Sequence, residues 1–280
     1  MTGTVFGIVL LAAFLHALWN AVVKGGADKV VAMTAVVFGQ GLAGLACLAV
    51  APTPALASLP WLALGVALHL GYQIFLASAY RLGDMTQVYP IARGVAPLIV
   101  TAASALFLGV SFERMELAAI AIIAIGIASI SMVRSADGLF QGKAALLALT
   151  TGGFIAAYSL ADGIGARIAG TSLGFYGWMA VLNAVVLAGL ARMMRPGLTT
   201  KALAQTRTLV IGGGASFAAY ALVVYAFTQA PIALVTALRE TSIVFALLIG
   251  VLVLKEPLNL LKVIATATTL TGAALLRFAR

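Results

Sequence analysis

Residues 3–23 read GTVFGIVLLAAFLHALWNAVV, a run of 21 positions without a formal charge. A bilayer core of about 30 Å is crossed by about 20 predominantly apolar residues in a helix, so this run has the length and composition of a transmembrane segment. It lacks the basic start of a signal peptide and carries His16, Trp19 and Asn20. It is therefore expected to remain as the first helix rather than be removed.

The pattern continues along the chain. Apolar stretches bounded by Gly, Pro or charged residues lie near 3–23, 30–51, 58–80, 86–109, 113–133, 141–161, 172–192, 207–229, 232–254 and 259–278, which predicts ten helices. Each is about twice the length of a barrel strand and none alternates in polarity, so helices are implied. Hydrophobic residues make up 63% of the 280 positions and charged residues 9%, against roughly 25% charged in a soluble domain. The expected fold class is an all-α integral membrane protein, and its first partner is the lipid bilayer.

The net charge of +9 does not point to nucleic acid, because the 17 Lys and Arg residues are scattered at the ends of apolar runs instead of gathering with aromatics on one face. The single Cys47 excludes a disulfide or a Cys-based metal site within one chain. Two histidines without clustered carboxylates make no zinc pattern, and no spacing resembles a nucleophile with its base. No enzyme, metal or cofactor is expected. No nucleotide-binding loop is present either, so transport would draw on a gradient. The longest polar link, Met193 to Thr206, carries Arg195 and Lys201 and leaves no room for an extramembrane domain. Function is thus expected inside the bundle.

Arg93 and Arg239 stand 146 positions apart, and the same shift pairs Leu108 with Leu254, Val110 with Glu256 and Gly126 with Gly272. This predicts two related halves, residues 1–137 and 138–280. Five helices per half is an odd number, so the second half would enter the membrane inverted, a recurring transporter design with a midplane site between the halves. Loops after odd helices hold 11 Lys and Arg and the other side holds 4, which by the positive-inside rule puts both termini outside the cytoplasm.

Several side chains are unexpected at membrane depth. An Arg at a helix centre costs about 2.5 to 3.5 kcal/mol on translocon scales, so Arg93 needs compensation. It either receives a substrate carboxylate or phosphate with its planar fork or pairs permanently with Glu240. Arg239 and Glu240 are adjacent and point about 100° apart, so one is expected to face a cavity and the other a neighbouring helix. Glu240 would meet a substrate amine, carry a proton, or serve helix pairing. Asp162 shares a face with Tyr158 but is expected to sit at the interface near Arg167, with proton coupling as the alternative. His16, Trp19 and Asn20, and likewise His69, Tyr72 and Gln73, form polar-aromatic stripes at i, i+3, i+4 spacing, suited to a cavity wall or to interhelical hydrogen bonds. Tyr80, Trp178, Tyr220 and Tyr225 are further candidates for the cavity, although Trp and Tyr near span ends are usually interfacial belt residues. Tyr89 precedes Arg93 by one turn, next to Pro90, and is a wall candidate. Gly39, Gly41, Gly44, Gly152, Gly153 and the run Gly212 to Gly214 read as close helix packing.

The sequence resembles the drug/metabolite transporter superfamily, specifically its EamA-type ten-helix exporters, over nearly the whole chain. The resemblance is carried by His16-Ala17-Leu18-Trp19-Asn20 followed by Lys24, by Tyr158 to Asp162, and by the turn Leu254-Lys255-Glu256-Pro257 with Gly272 sixteen residues after the glutamate. Val110 stands where the first half would repeat that glutamate. The resemblance implies inverted five-helix repeats around a central cavity, a multi-pass place in the bacterial inner membrane, and both termini in the cytoplasm, opposite to the charge count. It also implies export of amino acids or other metabolites. The leading expectation is a secondary transporter, an exporter, of amino acids or similar small polar metabolites, with His16, Trp19, Asn20, Tyr89, Arg93, Tyr158, Arg239 and Glu240 around the substrate and Glu240 or Asp162 available for proton coupling. Export of hydrophobic cations or of phosphorylated metabolites is the transport alternative. A non-transporting membrane assembly protein is the alternative of another class. The oligomeric state is left open.

Overall fold

The computed structural model describes residues 1–82, 85–131, 142–252 and 260–278, without the side chains of 24–25, 77, 80–81, 85–90, 128, 130–131, 194 and 261–262. Every element among the described residues is helical. In chain order they are α1 (Gly3–Gly25), α2 (Lys29–Leu48), α3 (Leu59–Leu82), α4 (Met85–Phe107), α5 (Arg114–Ser131), α6 (Gly142–Ala169), α7 (Ser172–Met194), α8 (Leu198–Ala204), α9 (Gly213–Gln229), α10 (Ile232–Arg239), α11 (Ser242–Leu252) and α12 (Leu260–Phe278). A π turn, Thr208–Gly212, leads into α9.

Helix starts use small polar side chains. Thr2, Asp28 and Thr171 accept from the backbone amides of Val5, of Val30 and Val31, and of Gly174, satisfying donors that have no partner within the helix. The Asp28 carboxyl is held below the usual carboxylate range, first by the Val31 amide and then by Arg195, which reaches it at 2.9 Å from the α7–α8 link. Gly170, at φ +71°, lets α6 turn into α7 in a conformation that disfavours a Cβ.

Among the described residues, seven spans are long and apolar enough to cross a membrane: α1, α2, α3, α6, α7, α9 with its π turn, and α10 with α11. Shorter apolar stretches occur at Ile91–Phe107 in α4 and Val263–Phe278 in α12. Two expected boundaries move. The sixth helix, expected to stop near residue 161, runs on to Ala169, because Asp162 finds polar partners inside the bundle and the first charge need not end it. The ninth run, expected as one helix, is broken at Glu240 and Thr241. There the amides of Glu240, Thr241, Ile243 and Val244 bond to carbonyls three residues back, at 2.9–3.1 Å, instead of four. The predicted boundary at residues 137 and 138 and the Leu254 to Pro257 turn lie outside the described residues.

Buried apolar side chains of α10, including Leu234 and Leu238, meet Val9 of α1, Ile120 and Ile123 of α5 and Phe227 of α9. Of the glycines read as packing sites, Gly39, Gly41, Gly44, Gly152, Gly212 and Gly213 are close-approach points, while Gly153 and Gly214 face open space. A Cβ on Gly39 would fall 1.9 Å from the Leu209 carbonyl oxygen, and one on Gly44 2.8 Å from that of Gly177. Helix α2 thus touches the backbones of the π turn and of α7.

Contacts recur in exchanged pairs. Helix α3 packs on α6 and α1 on α9; α4 packs on α6 and α10–α11 on α1; α3 meets α7 and α9 meets α2; α2 faces α7, and α5 faces α12. At the last contact the exchange holds to the residue. A Cβ on Gly126 would meet Thr269 Oγ1 at 2.8 Å and the Ala265 carbonyl at 3.1 Å, while one on Gly272 would meet Ile123 Cγ1 at 2.6 Å and the Ala119 carbonyl at 2.9 Å. Ala119 and Ile123 precede Ala265 and Thr269 by the same 146 positions.

Candidate functional site

The apolar runs converge on a cavity of about 90 Å³ whose wall takes residues from α1, α2, α3, α4, α6, α7, α9 and α10. Its cationic side is built from Arg93 and Arg239, both at most 4% exposed. Glu240 lies behind them. Arg93 Nε sits 2.8 Å from Glu240 Oε2, and Arg239 Nη2 lies 3.6 Å from Glu240 Oε1. Arg93 Nη2 also donates to Ser242 Oγ at 3.3 Å. The break after Arg239 makes this geometry: Arg239 ends α10 facing the cavity, and the tight turn carries Glu240 toward α4. Among the described residues, two guanidiniums share one carboxylate, which leaves one positive charge in excess there, and Arg239 Nε has no hydrogen-bond partner. An uncompensated cation in a low-dielectric interior attracts an anionic group strongly.

Opposite lies an aromatic and acidic cluster that joins three helices. Asp162 on α6 is fully buried at 0% exposure; its Oδ2 accepts from the Tyr220 hydroxyl of α9 at 2.6 Å and lies 2.9 Å from His69 Nε2 of α3. This corrects the expectation of an interfacial Asp162 beside Arg167. Arg167 instead donates to the carbonyls of Phe227 and Ala230 at 2.8 Å each, capping the end of α9. Tyr220 is no belt residue, since it lines the cavity. The Tyr158 ring stacks on His69 at 4.2 Å, with Tyr72 edge-on at 5.7 Å.

The α1 stripe is divided. His16 and Trp19 line the cavity, with the Trp19 indole N–H donating to His16 Nδ1 at 3.3 Å. Asn20 donates back to the His16 carbonyl at 2.7 Å and is not part of the wall. On α3, His69, Tyr72 and Gln73 all reach the cavity. The Tyr89 and Tyr80 side chains lie outside the described ones.

The second half of the chain decides the family: residues 142–278 match the EamA-like transporter family. These residues are those of an EamA-like transporter, and the match supports the chain's place among the multi-pass membrane transporters of the drug/metabolite transporter superfamily. A solved structure described as "Crystal structure of protein" is 20% identical and superposes with a TM-score of 0.74 over 98% of this chain and 96% of that one, a likeness of fold. No curated protein matches the sequence.

Four polar or aromatic wall residues escaped the sequence reading: Gln40, Tyr176, Asn183 and Ser216. Gln40 donates to Ser216 Oγ at 2.7 Å, linking α2 to α9, while Asn183 Oδ1 is buried without a described partner. Each is a lone polar or amphipathic residue in an apolar run, so the available signal was isolation in place of a motif. The wall offers a cationic side, amides and hydroxyls, and aromatic faces, which suits a small ligand with an anionic group and a short apolar or cationic part.

Proposed function

We propose that this EamA-like transporter is a secondary exporter of amino acids or similar small polar metabolites, working by alternating access in the bacterial inner membrane. The observation that carries the reading is the pair of buried arginines facing one cavity and sharing the Glu240 carboxylate. Glu240 is engaged by Arg93, so Arg239 is the guanidinium left to a substrate carboxylate, with the polarity of Arg93 beside it. A substrate amine then faces the Tyr158 and Tyr220 rings, and Trp19 closes the wall. Glu240 does not open to the cavity, which argues against its meeting an amine directly. Arg93, Arg239, His16, Trp19 and Tyr158 are the binding residues of this proposal. Asn20 supports the wall from behind.

Ten transmembrane helices in two inverted repeats, residues 1–137 and 138–280, form the proposed frame. The exchanged helix contacts and the reciprocal Gly126 and Gly272 packing support it, since a two-fold axis between halves would generate them. Arg93 and Arg239 are then equivalent residues meeting near that axis. The cavity is well below the roughly 300–1,000 Å³ of ordinary ligand pockets, which fits a closed state that must widen to load.

Export of a phosphorylated metabolite is a second reading, favoured by the presence of both guanidiniums in the wall. In liposomes, the purified protein is expected to exchange labelled amino acids. No exchange across a broad amino-acid panel removes the claim, and exchange of a labelled sugar phosphate in its place installs the second reading.

A further inference from the structure

The two carboxylates beside the cavity have partners of different kinds. A proton added to Glu240 would neutralise the carboxylate that two buried guanidiniums share, because arginine keeps its own proton. Asp162 is bound by a phenol and an imidazole, neither a fixed charge, so protonating it leaves no charge without a partner. His69 lines the cavity with 16% of its side chain exposed, whereas Asp162 does not reach the wall. One imidazole thus connects cavity water to a closed-off carboxylate. Asp162 Oδ1, facing Gly65, has no hydrogen-bond partner among the described residues, so the carboxylate's set of bonds is incomplete.

We propose that Asp162 is a proton-binding site, loaded and emptied through His69, and that its loading is coupled to substrate movement. The proposal rests on the transport reading above. A proton passes from cavity water to the His69 ring, and the ring hands one proton to Asp162; the imidazole ends neutral and the carboxylate becomes a carboxylic acid. The Tyr220 hydroxyl then loses an ionised acceptor. Because the two bonds to Asp162 tie α3 and α9 to α6, the proton alters contacts that run between helices of the two halves. The other groups facing the cluster are Tyr158 of α6, Tyr72 of α3, Tyr176 of α7, whose ring lies 5.1 Å from that of Tyr220, and, across the cavity, Arg93 of α4, Arg239 of α10 and Glu240. Tyrosine and arginine keep their protons in the working range, Glu240 is held by its arginines, and His16 of α1, the other imidazole in the wall, is bonded to Trp19; His69 is the imidazole in contact with Asp162, and the two form the exchanging pair.

Two measurements on the full chain test this. In liposomes, with a labelled amino acid that the wild type exchanges, an imposed pH gradient is expected to drive accumulation of label against its own gradient. Asp162→Asn, which still accepts from Tyr220, is expected to keep measurable exchange but to lose this accumulation at least tenfold. Accumulation by Asp162→Asn equal to the wild type overturns the proposal. In lipid nanodiscs without substrate, infrared difference spectra on acidification are expected to show a protonated-carboxyl band that Asp162→Asn lacks and whose midpoint Tyr220→Phe moves by about one pH unit. A wild type without that band, or an identical band in both variants, also overturns it. If no amino acid is exchanged at all, the transport reading fails while the infrared result still decides the proton site.

Discussion

Arg93→Gln is expected to reduce substrate exchange by about two orders of magnitude or more, because removing one member of a buried charge set costs about 2–5 kcal/mol and each 1.4 kcal/mol is tenfold. The physical reason is charge count. Without Arg93, the Glu240 carboxylate falls to Arg239, already 3.6 Å away, and the excess positive charge that attracts the substrate disappears. Folding should suffer less than transport, since Glu240 keeps a counter-ion. Glu240→Gln should behave in the opposite way. It removes the carboxylate that two buried guanidiniums share, and thermal unfolding in detergent should show the large loss, about 3–5 kcal/mol, typical of a broken buried pair. The double variant Arg93→Gln with Glu240→Gln restores one unpaired cation, Arg239, and is expected to recover both stability and part of the exchange. A double variant no better than the worse single variant would show that the cluster is a structural pair and that its net charge has no role in binding.

Gly39→Ala carries the next largest expected effect, and it falls on folding. Its Cβ would lie 1.9 Å from the Leu209 carbonyl oxygen and 2.9 Å from the carbonyl carbon, and a Cβ on the facing Gly213 would lie 2.4 Å from Gly39 Cα. These are backbone atoms of a helix and a π turn, with no flexible side chain to swing away. The two elements must separate, at a cost of about 1–3 kcal/mol or more for overpacking, and with them the Gln40 to Ser216 hydrogen bond in the cavity wall. Gly214→Ala is the matched control, since an added Cβ there meets nothing within 4 Å. Thermal unfolding should show a clear drop for Gly39→Ala and none for Gly214→Ala; equal midpoints would contradict the close-packing account.

How much of this was legible beforehand differs by residue for physical reasons. Spans such as 3–23 are legible because the bilayer imposes length and apolarity on every crossing segment. Arg93 and Arg239 are legible because a charge inside such a run has few explanations. The break at Glu240 is less so: no Pro or Gly marks it, and only the polar triplet Arg239-Glu240-Thr241 hints that the ladder is interrupted where side chains take over compensation. Asp162 misled because a charge late in an apolar run looks like a helix end. Its burial depends on Tyr220 and His69, far away in the chain, and no local pattern reports such a meeting. Gln40, Asn183 and Ser216 belong to the same class, since a single polar residue in an apolar helix acquires meaning only from what the fold sets opposite it.

The central claim, that two buried arginines select an anionic group on a small metabolite, is tested most directly by competition in the liposome exchange assay. An amino acid that the wild type exchanges is compared with its amide, which lacks the negative charge, and with its decarboxylated amine. The account predicts that unlabelled acid abolishes exchange of the label while amide and amine leave it nearly unchanged. Equal competition by the amine would contradict it, because the cationic side of the cavity would then have no part in recognition.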